Sequence, residues 1–326
     1  MDKLTTMVLC KANSFFKNHL WKHIDKLTSD VYCDFVGQQA NDEILKRLDR
    51  CSEDGFMMSK WGTIEYAQAL LTYMQKRPYT CKELMLVFLG KLPSPRIGGN
   101  DYLTSNAGVF PCTPEMAELF GEQALRDCQE IDILGSYMYN EKYLMSYWKN
   151  ALKVDLDAFY APWLFENPWT KWLKGKKVLV VHPFVESIAY QYHNRRELLF
   201  DNKEVLPEFK SLTCIKAVQT QAGEKSEFGN WFEALEYMEN EIDKCDYEVA
   251  IIGCGAYGMS LAAHVKRRGK VAIHLAGWTQ MLFGVYGERW VSQQSKYSKV
   301  INNYWIRPNA NEGLANGKSI EHGCYW

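Results

Sequence analysis

The sequence predicts an α/β protein: a Rossmann-like, mostly parallel sheet with helices on both faces, preceded by an N-terminal helical segment. Three observations carry this reading. Short apolar runs alternate with helical patterns through the C-terminal half, as a parallel sheet covered on both sides requires. One run, Tyr247–Ile252, ends in Gly253-Cys-Gly255-Ala-Tyr-Gly258, and a helical pattern starts at once with Met259. That spacing lets a backbone approach a diphosphate and aims free N–H groups and the positive end of a helix at it. A chain of 326 residues can also bury a sizeable core in one large domain or two moderate ones.

Residues 1–50 read as a helical extension and 51–326 as the main domain. Ser14–Ile24 and Asp42–Leu48 carry apolar residues near helical spacing. Gly55–Ser59 is a short strand that turns at Trp61-Gly62 into a helix from Thr63, with Thr63 as the expected N-cap. Pro93–Asp101 and Asn106–Pro111 are loops by their Pro, Gly and Asn content. A helix over Pro114–Cys128 follows, with proline at its favoured first position. Ile131–Gly135 reads as a strand. The aromatic stretch from about 140 to 175 has no clear period. Beyond it come a strand at Lys177–Pro183, a helix over 185–200, a strand at Leu212–Val218, a helix over 229–243, the glycine turn with its helix, and a strand at Lys270–Leu275.

Bulk properties exclude several function classes. A net charge of -1 provides no field for a polyanion, so nucleic acid is not an expected partner. Ten cysteines occur without a CxxC pair or regular spacing, which is reduced, cytoplasmic usage and not a disulfide framework or zinc site. The first residues lack a signal-peptide core, and no run reaches about 18 apolar residues, so no transmembrane segment is expected. GxSxG, HExxH and P-loop patterns are missing.

In such sheets ligands bind at the carboxyl ends of strands. That rule selects Ser59–Glu65, His182–Glu186, Gln219–Gly223 and Gly253–Gly258. Glu65 falls in a first helical turn, where it either caps or touches a metal–diphosphate. His182 reads first as a structural histidine and otherwise as a base or a phosphate hydrogen-bond partner, and Glu186 is the better general-base candidate by position. Arg195 and Arg196 either neutralise a diphosphate or form a solvated face. Arg96, Gly98, Gly99, Asn100 and Asn106–Gly108 fit donor recognition or plain turn chemistry. Gly277–Gln280 and Phe283–Trp290 suit a lid or acceptor platform. The tail Glu321–Trp326 ends on aromatics that favour docking over freedom.

An NAD site would place an acid at the end of the next strand, roughly 20 residues past the glycines. Leu275, Ala276 and Gly277 stand there instead, so NAD is not expected.

Ser59-Lys-Trp-Gly-Thr-Ile-Glu65, Val178–Ser187, Ile251–Gly258 with His274–Gly277, and the tail together resemble the GT-D-type glycosyltransferases of surface-polysaccharide and glycoprotein gene clusters. The resemblance covers about 55–326. It implies a Rossmann-like domain that moves a sugar from a nucleotide-sugar donor to a glycan or other hydroxyl acceptor, with Mn2+ or Mg2+ in the studied branch. With that reading, the strand-end turns place donor binding at Ser59, Lys60, Gly62, Thr63, Asn106, Gly253, Gly255, Ala256, Tyr257 and Gly258, and catalysis at Glu65, Glu186 and His182. The resemblance implies the metal at Glu65. Thr63 stands where that family carries Asp, and Lys60 where Arg is common. The alternatives are an NAD(P)-dependent oxidoreductase and a non-catalytic nucleotide-sugar-binding protein of the same fold.

Overall fold

Apolar runs of four to six residues, rich in Val, Ile, Leu and Met, form the strands β1 (Phe56–Ser59), β2 (Ile133–Ser136), β3 (Leu152–Asp155), β4 (Lys177–His182), β5 (Ser211–Lys216), β6 (Val249–Ile252) and β7 (Val271–His274). The computed structural model describes residues 3–19, 31–51, 54–92, 94, 101–292, 296–314 and 325. The predicted helix at Ser14–Ile24 and loop at Pro93–Asp101 lie partly outside them. All seven strands run parallel, in the order β3-β2-β1-β7-β6-β4-β5.

Among the described residues twelve α-helices connect and flank them. The first six are α1 (Lys3–His19), α2 (Gly37–Leu48), α3 (Thr63–Gln75), α4 (Cys81–Phe88), α5 (Asp101–Ser105) and α6 (Pro114–Asp127). The others are α7 (Leu156–Tyr160), α8 (Val185–Leu199), α9 (Trp231–Asp243), α10 (Gly258–Arg267), α11 (Trp278–Leu282) and α12 (Glu288–Ser292).

Alternate residues of each inner strand face opposite sides, and each side is covered. Met57, Leu179, Val181, Ala250, Ile252 and Ala272 pack under α3, α6, α9 and α10. Phe56, Met58, Val178, Val180, Ile251 and Ile273 pack under α2, α7, α8 and α11. This is the Rossmann-like α/β fold that the alternating runs predict.

Two local expectations change. The N-cap of α3 is Gly62, and Thr63 is its first helical residue. Residues 31–48 belong to the main domain instead of an extension. Ala40, Ile44 and Leu48 share a core with Phe56 and Met58, and Phe35 bridges to Val154 beside β3. Capping follows ordinary chemistry elsewhere: Asn230 Oδ1 accepts from Phe232 N (2.9 Å) and Glu233 N (3.2 Å) at the start of α9. Among the described residues no helix is long and apolar enough to cross a membrane.

Topology places the site. From β4 the chain proceeds outward to β5, whereas from β6 it proceeds the opposite way to β7. Neighbouring strands β4 and β6 therefore part at their carboxyl ends and open a crevice there.

Candidate functional site

A cavity of about 450 Å³ occupies that crevice and spreads over the carboxyl ends of the sheet. Its polar wall comes from the ends of β1, β4, β5, β6 and β7: Lys60, Glu65, His182, Gln221, Gly255 and His274. Its aromatic wall comes from Tyr160 after β3 and from Trp278, Trp290, Tyr297 and Tyr325 beyond β7.

At the β6–α10 turn the three glycines have separate causes. A Cβ on Gly253 would collide with the Ala276 carbonyl and approach Thr279 Oγ1. Gly258 lies against the His274 ring too closely for any side chain. Gly255 has φ +58° and would set a Cβ 2.5 Å from Gln221 Nε2, so only glycine fits both the conformation and the space. Among the described residues, the amides of Cys254 and Gly255 have no hydrogen-bond partner, while Ala256 N donates to the Ala107 carbonyl at 3.4 Å. Of the turn, Gly253 and Gly255 line the cavity. Ala256 faces a small adjoining hollow with Lys60, Glu65 and His274. Tyr257 is core: it stacks on Trp231 at 5.1 Å, and its hydroxyl lies 3.2 Å from Thr220 Oγ1.

The β1–α3 turn faces that glycine turn across β7. Ser59 is not exposed to the cavity. It is buried, and its Oγ lies 2.9 Å from His274 Nδ1 on the neighbouring strand. With the serine hydroxyl as donor, Nε2 carries the ring proton. His274 is 4% exposed and its Nε2 has no partner among the described residues. Burial, with the Lys60 charge adding to it, holds the ring down to about 3, so it is neutral at physiological pH. Lys60, Gly62, Thr63 and Glu65 all line the cavity. Lys60 Nζ sits 5.2 Å from the centre of the Tyr137 ring, whose hydroxyl donates to the Trp61 carbonyl at 2.9 Å. The Glu65 carboxylate folds back over Gly62 at the start of α3, where the helix dipole favours it. Asn106 also lines the cavity and accepts from Ser105 Oγ at 2.7 Å.

At the β4–α8 turn the arrangement differs. His182 Nδ1 accepts from Phe184 N at 3.0 Å, so the neutral ring carries its proton on Nε2. Burial holds this ring down to about 3 as well. A base needs a free lone pair near neutrality, and His182 has neither that lone pair nor that pKa. It is a hydrogen-bond donor. Glu186 is exposed, outside the cavity, and accepts from Asn311 Nδ2 at 3.0 Å. The structure therefore does not bring Glu186 to the candidate site. The α8 N-terminus is closed by Glu312, 1% exposed, which accepts from Glu186 N (2.7 Å), Ser187 N (3.2 Å) and the Ser187 hydroxyl. Arg195 and Arg196 also lie elsewhere: Arg195 donates to the Tyr304 carbonyl at 3.0 Å and Arg196 pairs with Glu197.

The aromatic wall is built by stacking. Tyr160 and Trp278 lie face to face, 3.8 Å between centroids and 7° between planes. The Tyr160 hydroxyl lies 3.1 Å from that of Tyr297, which in turn bonds Asp157. Burial pushes the Tyr160 phenol up to about 12, so it stays protonated. Tyr325 of the predicted docking tail sits against Gly277, with Arg289 4.9 Å from its ring centre. The rest of that tail and Arg96–Asn100 lie outside the described residues.

These residues do not fit a hard divalent cation. Among the described cavity-lining residues Glu65 supplies the single carboxylate, and Thr63 adds a neutral hydroxyl. Among the described residues no three His, Cys, Asp or Glu side chains group as a metal site would need.

Tyr137, Tyr160 and Tyr297 were not singled out by sequence, and His274 entered only with the family resemblance. His274 ends a strand, so the carboxyl-end rule could have selected it. Tyr160 follows β3, which the aromatic stretch conceals. No protein-family model matches the chain, and neither a curated protein nor a solved structure matches it.

Proposed function

We propose that this chain binds a nucleotide-sugar donor and transfers its sugar to a hydroxyl acceptor. One observation carries the reading: the Gly255 amide, which has no protein partner among the described residues, lines the same cavity wall as the Lys60 cation. Donors fixed in a low-dielectric wall stabilise a diphosphate as it leaves with the electron pair of its bond to the sugar. The neutral His182 Nε2–H adds a further donor. Rings such as Trp278 and Tyr325 offer apolar faces for a sugar or base.

Glu65 is the candidate general base. In the proposed step the acceptor oxygen bonds the anomeric carbon, the bond to the diphosphate breaks, and Glu65 takes the acceptor proton. Its placement over Gly62 sets it in the first turn of α3, at the positive end of that helix.

The test is a thermal-shift panel of nucleoside diphosphates, sugar nucleotides and NADH, followed by a donor-hydrolysis assay. Stabilisation by a nucleoside diphosphate and its sugar, with hydrolysis lost in Glu65→Gln, is the expected result. Stabilisation by NADH alone would replace this reading with a nicotinamide-dependent one. Diphosphate binding without any turnover would leave a non-catalytic binding protein.

A further inference from the structure

The outer face of α1 exposes several large apolar side chains. Thr6, Leu9 and Asn13 point inward, and Asn13 Nδ2 clamps the helix by donating to the carbonyls of Val87 (2.5 Å) and Leu92 (2.8 Å). Leu4 (67% exposed), Val8 (53%) and Phe15 (54%) point outward, with Met7 beside them. Positions 4, 8, 11 and 15 fall on one helical stripe, so Lys11 lies among these apolar side chains. Adjacent α4 is joined to α1 through the Phe16 and Phe88 rings, 5.4 Å apart, and adds exposed Met85 and Phe88 with exposed Lys82.

Charge decides what covers this face. The α1 sequence carries Lys3, Lys11 and Lys17 and no Asp or Glu. The acid of α4, Glu83, is held by Arg77. A second copy of the same face would oppose lysine to lysine. A cationic, acid-free helix with exposed Leu, Val, Met and Phe matches the plane where anionic headgroups meet acyl chains. Its lysine stem can run along apolar surface while the ammonium reaches a phosphate. We infer that α1, with the exposed residues of α4, docks this protein on the surface of an anionic phospholipid bilayer. The helix lies in the interface and does not span it.

The experiment co-sediments the full chain with vesicles of phosphatidylcholine alone or with phosphatidylglycerol added. Pelleting should rise about tenfold with phosphatidylglycerol and fall as salt is raised. The double variant Val8→Glu, Phe15→Glu should lose that gain and keep the wild-type melting temperature, since both side chains are solvent-exposed. Equal pelleting with both vesicle types would overturn the inference, as would pelleting indifferent to the double variant. So would a wild-type dimer in sedimentation velocity that the same double variant dissociates, because the face would then belong to a second copy.

Discussion

The β4–α8 and β6–α10 turns flank the same crevice and begin the same way, yet one is closed and the other open. At β4–α8 the chain supplies its own anion: Glu312 reaches across from the C-terminal segment and accepts from Glu186 N and Ser187 N. At β6–α10 Ala256 N donates to the neutral Ala107 carbonyl, and the amides of Cys254 and Gly255 stay unpartnered among the described residues. A helix N-terminus therefore marks an anion site only where the chain leaves it without an internal acid. The positive end of α8 is consumed in stability, and the glycine turn has two amides without a protein partner among the described residues.

The largest expected effect acts on both turns together. His182 and His274 are held down to about 3 by burial, against an unfolded value near 6.5. The unfolded chain takes up their protons first, so the stability from neutral burial is complete above about pH 6.5 and is lost progressively as pH falls toward 3. Urea unfolding at pH 6.5 and pH 5 should differ by on the order of 2 kcal/mol for each ring. Replacing either histidine with Asn should flatten that dependence by about half. An unchanged slope would mean that the rings titrate normally.

Next in size, Glu312→Ala should cost about 3 kcal/mol of stability, because it strands buried donors at the start of α8. Diphosphate affinity of the folded variant should match wild type. Lys60→Ala should do the reverse, weakening diphosphate binding by about 2 kcal/mol, or about 30-fold, with little change in melting temperature. If Glu312→Ala weakened binding as much as Lys60→Ala, the contrast between the turns would fail. The smallest effect belongs to Gly255→Ala. A left-handed φ costs alanine about 1 kcal/mol, and the new methyl presses on the Gln221 amide, so stability should drop by about that amount and diphosphate affinity by severalfold.

The fold was legible because strands buried on both faces leave continuous apolar runs, and six of the seven strands were read from them. The exception, β3, has four residues and lies in a stretch of short 3-10 turns and aromatics, where no period develops. Of the site, Lys60, Glu65, Asn106, His182, Gly253 and Gly255 were legible as strand-end or loop residues, and all line the cavity. Glu186 shows the limit. Its spacing after His182 resembles a catalytic pair, but the acid that closes α8 lies 126 positions away, and no local pattern announces such a partner. Tyr257 shows a second limit: a residue within a glycine motif can serve the core alone.

The proposed rest of a diphosphate on the open β6–α10 turn is tested most directly by calorimetric titration of inorganic pyrophosphate and of uridine diphosphate, without added metal, into wild type, Lys60→Ala, Gly255→Ala and Glu312→Ala. Binding to wild type, weakened by Lys60→Ala and Gly255→Ala and unaltered by Glu312→Ala, is the expected result. No binding to wild type, or equal binding to all four proteins, would contradict it.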